Sequence, residues 1–330
     1  MELKGKKVLV TGGEGFIGSH LVETLVRSGA KVTAFVLYNS QNKLANLEFL
    51  PPEILKEVTL FKGDIVDNGA VKQAVEGQEV VFHLAALIAI PYSYKAPEAY
   101  VMTNVLGTLH VLQACREAGV QKIVQTSTSE TYGSAIYTPI DEAHPLQAQS
   151  PYAATKIGAD KLAESYYCSF NLPVAVIRPF NTFGPRQSAR AVIPTVICQA
   201  LAGKKEIKLG SLSPVRDLNY VKDTVSGYLQ IAESEATVGQ VINIGSGQGI
   251  TIGDLARKIL KLTGSNAKII SDETRIRPEK SEVKQLLCNY AKAKKLFGYS
   301  PKYTLEQGLM ETIEFIKNNL SLYKPEEYTI

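Results

Sequence analysis

The sequence predicts an α/β protein built on a doubly wound parallel sheet, because short apolar runs alternate with amphipathic stretches. The apolar runs cover residues 7–10, 31–37, 58–61, 80–84, 122–126 and 174–177. Helical patterns lie between them, at residues 16–27, 69–75, 100–118 and 152–170. Right-handed crossovers then place helices on both faces of the sheet. We expect the functional site at the carboxyl ends of the strands.

The pattern becomes less regular in the second half of the chain. Proline and glycine are frequent from Pro179 to Pro214, and the apolar runs become shorter. We predict a first domain over residues 1–180 and a smaller α/β lobe over residues 181–330, interleaved with the first. No Gly-, Ser- or Pro-rich linker separates the halves, so they should form one unit with a cleft between them.

Composition excludes several classes of protein. The 36 basic and 32 acidic residues are interspersed, so we expect no nucleic-acid-binding tail. The four cysteines are widely separated, and we expect neither a disulfide framework nor a metal site. No apolar stretch reaches about 18 residues, and the N-terminal apolar run is too short for a signal peptide. These features predict a cytoplasmic protein without a membrane partner.

A glycine pattern follows the first predicted strand and opens the first predicted helix. Gly12 permits a tight turn, Gly15 lets a pyrophosphate approach the backbone, and Gly18 allows close helix packing. The free amides of Phe16 and Ile17 would face the phosphates at the positive end of the helix dipole. The pattern predicts a dinucleotide cofactor, and an ordinary Gly-rich turn is the alternative.

The second strand bears on which dinucleotide is bound. An acid near its end would hold the ribose hydroxyls of NAD, but the strand is followed by Tyr38, Asn39 and Ser40. A neutral loop with Lys43 nearby favours NADP, while NAD stays open because no arginine occupies this position. The other expected cofactor contacts follow the third and fourth strands: Asp64, Ile65 and Ala85.

A tyrosine and a lysine lie one turn apart on a later predicted helix. Ser150 suits the N-cap and Pro151 the first helical position, which puts Tyr152 and Lys156 on one face. A free phenol has a pKa of about 10. A nearby ammonium group and an oxidised nicotinamide would lower it. The pair could also be an ordinary tyrosine and a solvated lysine, but the glycine pattern favours catalytic roles.

Polar residues follow the fifth predicted strand. Thr128 can hydrogen-bond a substrate hydroxyl, and Glu130 can move protons beside it, with Ser129 between them. Taken alone, this segment could equally be a polar turn with an exposed carboxylate. His83, inside an apolar strand, is expected to be a hydrogen-bonded core histidine.

Together these residues resemble the extended short-chain dehydrogenase/reductase superfamily, in its nucleotide-sugar branch. Segments 178–186, 215–223, 243–247 and 275–278 carry the resemblance further. It implies a Rossmann domain for the dinucleotide over residues 1–180 and a lobe over residues 181–330 for a nucleotide-diphosphate sugar. Asn181, Arg216 and Arg277 would contact the diphosphate, which guanidinium groups recognise bidentately. It also implies a homodimer formed through helices 100–118 and 152–170.

Residues 128–130 resemble the corresponding triplet of sugar-nucleotide 4,6-dehydratases. The resemblance implies oxidation at carbon 4, removal of the carbon-5 proton by Glu130, loss of water from carbon 6, and hydride return. Ser129 stands where many dTDP-glucose dehydratases have an aspartate. Residues 86–94, with Tyr92 against the substrate, and residues 185–194 resemble UDP-N-acetylglucosamine dehydratases of bacterial nonulosonic acid pathways. We therefore expect UDP-N-acetylglucosamine as the substrate.

Three other functions remain open at this point. A UDP-sugar 4-epimerase would use Tyr152 and Lys156 but needs no base for carbon 5. A UDP-glucuronate decarboxylase needs a cation facing carbon 6, and residues 92–94 contain no arginine. A non-catalytic nucleotide-sensing protein could keep the fold alone, although the presence of Tyr152, Lys156 and Glu130 disfavours it.

Overall fold

In the computed structural model, which describes residues 1–327, strands and helices alternate from residue 7 onward. The strands are β1 Lys7–Thr11, β2 Lys31–Leu37, β3 Thr59–Gly63, β4 Val80–His83, β5 Lys122–Thr126, β6 Val174–Pro179, β7 Asn181–Phe183, β8 Glu206–Leu209, β9 Val215–Tyr220, β10 Val241–Ile244, β11 Gly249–Thr251, β12 Lys268–Ser271 and β13 Gln285–Leu286. The helices are α1 Phe16–Arg27, α2 Pro52–Leu55, α3 Asn68–Val75, α4 Ile90–Ser93, α5 Pro97–Tyr100, α6 Gly107–Ala118, α7 Pro151–Phe170, α8 Val192–Leu201, α9 Val221–Glu233, α10 Ile252–Thr263, α11 Ala291–Phe297 and α12 Leu305–Asn318.

A seven-stranded sheet dominates the fold. Its order is β10-β6-β5-β4-β1-β2-β3, and every adjacent pair is parallel. The chain order reverses between β1 and β4, at the point where ligands bind in doubly wound sheets. The predicted fold class, a doubly wound Rossmann sheet, is confirmed.

The edge strand β10 comes from the second half of the chain. It pairs with β6, with Val241 opposite Val176, and α9 packs against β5 and β6. Asn243 and Ile244 of this strand fall within the range 181–330 that was predicted for a second lobe interleaved with the first domain. Residues on both sides of position 180 therefore build the large sheet.

Two small sheets lie beyond the large one. Strand β9 pairs with β7, β11 and β13, and β8 pairs with β12. One apolar core extends through both parts of the molecule, from Val8 in β1 to Leu255 in α10 and Leu309 in α12. The cleft between the sheets is thus backed by a continuous core.

The helix predicted at residues 100–118 is interrupted. Helix α5 is followed by a π-helical turn, Val101–Leu106, before α6 begins. Turns of this kind are rare and concentrate at functional sites. Here the turn carries Asn104, whose side chain accepts from the Leu87 N–H at 2.8 Å and donates to Thr155 Oγ1 at 3.0 Å. Asn104 therefore ties the loop after β4 to α7.

Residues 1–327 contain neither a candidate membrane span nor a candidate metal site. None of the described helices is long and apolar enough to cross a bilayer. Within the same residues, no group of three or more His, Cys, Asp and Glu side chains is arranged to hold a metal ion.

Candidate active site

The turn between β1 and α1 is packed so closely that its glycines cannot carry side chains. Gly12 has φ of 67°, and a Cβ on it would lie 2.9 Å from the Ala85 backbone. A Cβ on Gly18 would lie 2.1 Å from the Gly12 carbonyl oxygen. Only glycine is accommodated at both positions. The N-terminus of α1 is thereby left open towards the cleft, as a bound pyrophosphate requires.

A cleft of about 1370 Å³ runs along the carboxyl ends of the central strands. This exceeds the about 300–1,000 Å³ typical of a site for one ligand, so it can hold a dinucleotide beside a second nucleotide. Most of the residues expected at the site line it: Gly12, Gly15, Phe16, Ile17, Gly18, Asp64, Ile65, Ala85, Thr128, Ser129, Glu130, Tyr152, Asn181, Arg216 and Arg277.

The cleft does not include every residue expected there. Asn39 and Ser40 are exposed and absent from its lining. The Asn39 side chain instead forms two hydrogen bonds with the Lys43 backbone. It accepts from the Lys43 N–H at 3.0 Å and donates to the Lys43 carbonyl oxygen at 2.8 Å. Tyr92 is 41 % exposed and packs its ring 6.1 Å from that of Tyr100, so the expected substrate contact is not brought into the cleft.

The end of β2 does carry a carboxylate, although it comes from elsewhere in the sequence. Glu14, within the glycine turn, accepts from the Leu37 N–H through Oε1 at 2.8 Å. Burial raises the pKa of this carboxyl group. The preference for NADP rested on the lack of an acid after β2 in the sequence, and this carboxylate from the glycine turn was not predicted.

Helix α7 begins as predicted and holds the tyrosine and the lysine. Ser150 caps it by accepting from the Ala153 N–H at 3.1 Å. Tyr152 and Lys156 are 7 % and 4 % exposed, and Lys156 Nζ donates to the Thr126 carbonyl oxygen at 2.6 Å. The lysine thus links α7 to the end of β5.

Burial controls the titration of both side chains. It raises the pKa of the Tyr152 phenol, and it lowers that of Lys156 to about 8, against a smaller opposing effect of Asp160. A hydrogen bond with Thr128 and the charge of Arg190 lower the pKa of the phenol most. From the sequence, the lowering was expected from the Lys156 ammonium group together with an oxidised nicotinamide. In the protein alone the phenol stays protonated at neutral pH, so its activation as a base needs a further positive charge beside it.

Thr128 and Glu130 are placed by a short 3-10 turn, Ser129–Tyr132. Thr128 caps the turn by accepting from the Glu130 N–H at 3.2 Å. The charge of Glu130 raises the pKa of Tyr152. Burial lowers the pKa of Arg216, and the charge of Glu130 partly offsets that lowering. The carboxylate therefore stands within electrostatic reach of both the phenol and the arginine.

Several polar atoms of the cleft are buried without hydrogen-bond partners. Among them are Asn181 Oδ1, Arg186 Nη1 and Arg277 Nη1. Arg216 Nη2 donates to Glu282 Oε1 at 3.2 Å, and Arg277 Nη1 lies 3.9 Å from the same oxygen. Buried guanidinium donors that lack partners are suited to binding an anion. This arrangement fits a diphosphate.

No individual role was predicted for Arg190 from the sequence. This residue comes from the loop before α8, lines the cleft, and acts electrostatically on both Tyr100 and Tyr152. Burial lowers its pKa, as expected for a guanidinium withdrawn from solvent. Arg190 belongs to no pattern with Tyr152 in the sequence, so only the fold reveals their proximity.

Buried polar side chains form hydrogen-bonded networks next to the residues that line the cleft. Asp160 Oδ2 accepts from Ser127 Oγ at 2.6 Å and from Arg178 Nη2 at 2.8 Å. His83 lies between Thr11 and Thr108, with its ring nitrogens 2.7 and 3.1 Å from their hydroxyl oxygens. Burial lowers the pKa of His83 to about 3, so it is the neutral core histidine that the sequence predicted.

Comparison with known protein families matches residues 9–312 to the family described as GDP-mannose 4,6 dehydratase. The chain belongs to this family. The GDP-mannose 4,6 dehydratase family lies in the nucleotide-sugar branch of the extended short-chain dehydrogenase/reductase superfamily, so the resemblance proposed from the sequence is confirmed.

This family member is similar to both dehydratases and epimerases. It is 32% identical over 320 residues to a dTDP-glucose 4,6-dehydratase of Actinoplanes sp., covering 96% of this chain and 99% of that protein. The dTDP-glucose 4,6-dehydratase DesIV of Streptomyces venezuelae, solved with NAD bound, superposes with a TM-score of 0.87 and 28% identity, over 97% of this chain and 100% of that one. A UDP-glucuronic acid 4-epimerase of Bacillus cereus, solved with UDP-glucuronic acid and NAD, superposes with a TM-score of 0.87 and 29% identity. The match covers 95% of this chain and 99% of that one. NAD is thus the dinucleotide of these structural neighbours.

Proposed function

We propose that the chain is an NAD(P)-dependent 4,6-dehydratase whose substrate is UDP-N-acetylglucosamine. The observation that carries this proposal is Glu130 in the cleft, within electrostatic reach of the Tyr152 phenol. Elimination of water requires a base for the carbon-5 proton beside the group that acts at carbon 4. An epimerase has no use for such a carboxylate.

A dinucleotide held at the glycine turn beside Tyr152 would supply reversible hydride-transfer chemistry at the sugar. The chain's own residues move the protons. Tyr152 takes the proton of the carbon-4 hydroxyl, which Thr128 orients. The resulting ketone acidifies the proton on carbon 5, and Glu130 removes it. Glu130 then protonates the hydroxyl leaving carbon 6, since Ser129 carries no acid. Carbon 5 finally takes up one proton, which balances the proton that Tyr152 removed, so the net change is loss of one water without net oxidation.

Two features support the choice of sugar nucleotide. Ile88 and Ile90 of segment 86–94 line the cleft and provide apolar surface for an acetamido methyl group. Arg216 and Arg277 supply donors for the diphosphate. The Actinoplanes and Streptomyces relatives act on dTDP-glucose, so that substrate is the direct competitor.

The test is incubation with a panel of sugar nucleotides followed by mass spectrometry. We expect loss of one water from UDP-N-acetylglucosamine. Replacing Glu130 with glutamine should reduce turnover by about 10²-fold or more, whereas replacing the exposed Glu98 with glutamine should leave it unchanged. Loss of water only from dTDP-glucose would contradict the substrate. An isomer of unchanged mass, formed equally by the Glu130→Gln variant, would show an epimerase.

One observation favours a second candidate function. A UDP-glucuronate decarboxylase was disfavoured from the sequence because residues 92–94 contain no arginine, but Arg190 supplies a cation near Tyr152. A guanidinium there could bind a carboxylate at carbon 6, and the Bacillus cereus epimerase acts on such a substrate. Carbon dioxide release from UDP-glucuronate in the same panel would establish a decarboxylase, and formation of its 4-epimer would establish an epimerase.

The proposal includes a homodimer formed through the helices expected from the sequence. Val101 and Met102 on the π-helical turn are exposed apolar residues, as are Tyr167 and Phe170 on α7. Exposed apolar side chains concentrated on neighbouring helices are typical of a surface that another protein covers.

A further inference from the structure

One carboxylate oxygen in the cleft lacks a donor. Oε1 of Glu14 accepts from the Leu37 N–H, but Oε2 is buried without any hydrogen-bond partner. Glu14 and Leu37 both line the cleft. Desolvating a carboxylate oxygen without supplying a donor is costly. The free energy of binding is therefore more favourable for a ligand that brings a hydroxyl to this oxygen.

The position of Glu14 indicates which part of a ligand it meets. The Gly12 N–H bonds to the Phe35 carbonyl oxygen at 3.0 Å, so the glycine turn and the end of β2 are in direct contact. In dinucleotide-binding sheets the adenosine ribose lies between these two elements, and an acid at the end of the second strand accepts from its 2′-hydroxyl. The end of β2 has no acid of its own, and Glu14 reaches it from the first turn.

We propose that Glu14 selects NAD over NADP by accepting hydrogen bonds from the hydroxyls of the adenosine ribose. A 2′-phosphate brings negative charge and no donor, so the buried carboxylate repels it. This inference rests on the dinucleotide-dependent function proposed above and reverses the preference expected from the sequence.

The loop after β2 offers little compensation to a 2′-phosphate. Asn39 uses both atoms of its amide to hold the Lys43 backbone, and Lys43 is exposed and does not line the cleft. The Lys62 ammonium donates to Asn42. Glu14, in contrast, lines the cleft and places its carboxylate at the end of β2.

The test is calorimetric titration of the purified protein with NAD and, separately, with NADP, without any sugar nucleotide. The wild-type protein should bind NAD at least about tenfold more tightly than NADP. Replacing Glu14 with glutamine should weaken NAD binding about tenfold, as for loss of a hydrogen bond to a charged group. The same variant should bind NADP as well as the wild type or better. Glu57→Gln, which removes the same charge from an exposed turn, should keep the wild-type ratio.

Two results would overturn the inference: wild-type protein that binds NADP as tightly as NAD, or a Glu14→Gln variant that keeps the wild-type ratio. If that variant does not fold, Glu14→Asp, which keeps the charge but shortens the reach, should reduce the preference for NAD. An unchanged ratio in Glu14→Asp would then count against the inference. Because the readout is binding without sugar, failure of the dehydratase assay would leave this result standing.

Discussion

Replacing Lys156 with methionine should remove a pH-dependent part of the stability of the protein. Burial lowers the pKa of Lys156 from 10.5 to about 8. Below pH 8 both the folded and the unfolded states carry the proton, so the buried charge destabilises the fold. Between the two pKa values the folded state has released the proton while the unfolded state keeps it. Stability therefore rises with pH across this window.

The size of the effect follows from the two pKa values. A shift of about 2.5 units corresponds to about 3 kcal/mol when the whole window is crossed. Between about pH 7 and about pH 9.5 the wild-type protein should gain about 2 kcal/mol relative to the methionine variant. Lys122, whose pKa burial also lowers to about 8, is present in both proteins and cancels in the comparison.

The measurement is urea unfolding of both proteins at the two pH values. Circular dichroism is the suitable probe, since the sequence contains no tryptophan. Equal slopes against urea would allow the free energies of unfolding to be compared directly. The reasoning would be refuted if the two proteins differed in free energy of unfolding by the same amount at both pH values. That result would show that Lys156 titrates as an exposed lysine.

Two further pairs of variants test packing and assembly. Both Gly18 and Gly158 lie inside helices, where alanine is favoured by about 1 kcal/mol. Gly18→Ala should nevertheless lose dinucleotide binding and about 1–3 kcal/mol of stability, because its Cβ would meet the Gly12 oxygen at 2.1 Å. Gly158→Ala, whose Cβ would meet Val105 at an ordinary 3.5 Å, should be neutral or more stable in urea unfolding. A stable, dinucleotide-binding Gly18→Ala protein would contradict this account of the turn. Val101→Glu should shift the sedimentation coefficient of the protein towards that of a monomer. Ile136→Glu, also at an exposed apolar position, should leave the sedimentation coefficient unchanged. If Val101→Glu sediments like the wild type, the proposed surface is not the dimer interface.

Local patterns were enough to predict the central part of the fold. The periodicity of apolar residues located β1 to β6, and the glycine spacing located the turn after β1. Tyr152 and Lys156 were predictable because they share one helix that begins with Ser150 and Pro151. Each of these features depends on residues close together in sequence, whose spacing is fixed by the geometry of a strand or a helix.

Features that depend on distant residues were missed. Glu14 reaches the end of β2 across the sheet, 23 residues away in sequence. Arg190 approaches Tyr152 only because the loop before α8 folds over the cleft. Strand β10 gives only a four-residue apolar signal, too short to assign to a sheet without its partner. The π-helical turn at Val101–Leu106 is invisible to a helical periodicity that assumes 3.6 residues per turn.

The cleft is lined by residues from as far apart in sequence as Gly12 and Glu327. A ligand in it makes contacts that exist only when both parts of the molecule are folded. A bound ligand therefore raises the free energy of unfolding of the entire chain. The increase is about 2.7 kcal/mol when the free ligand is at 100 times its dissociation constant. A bound dinucleotide would thus also slow proteolysis of the chain, because it lowers the population of unfolded molecules.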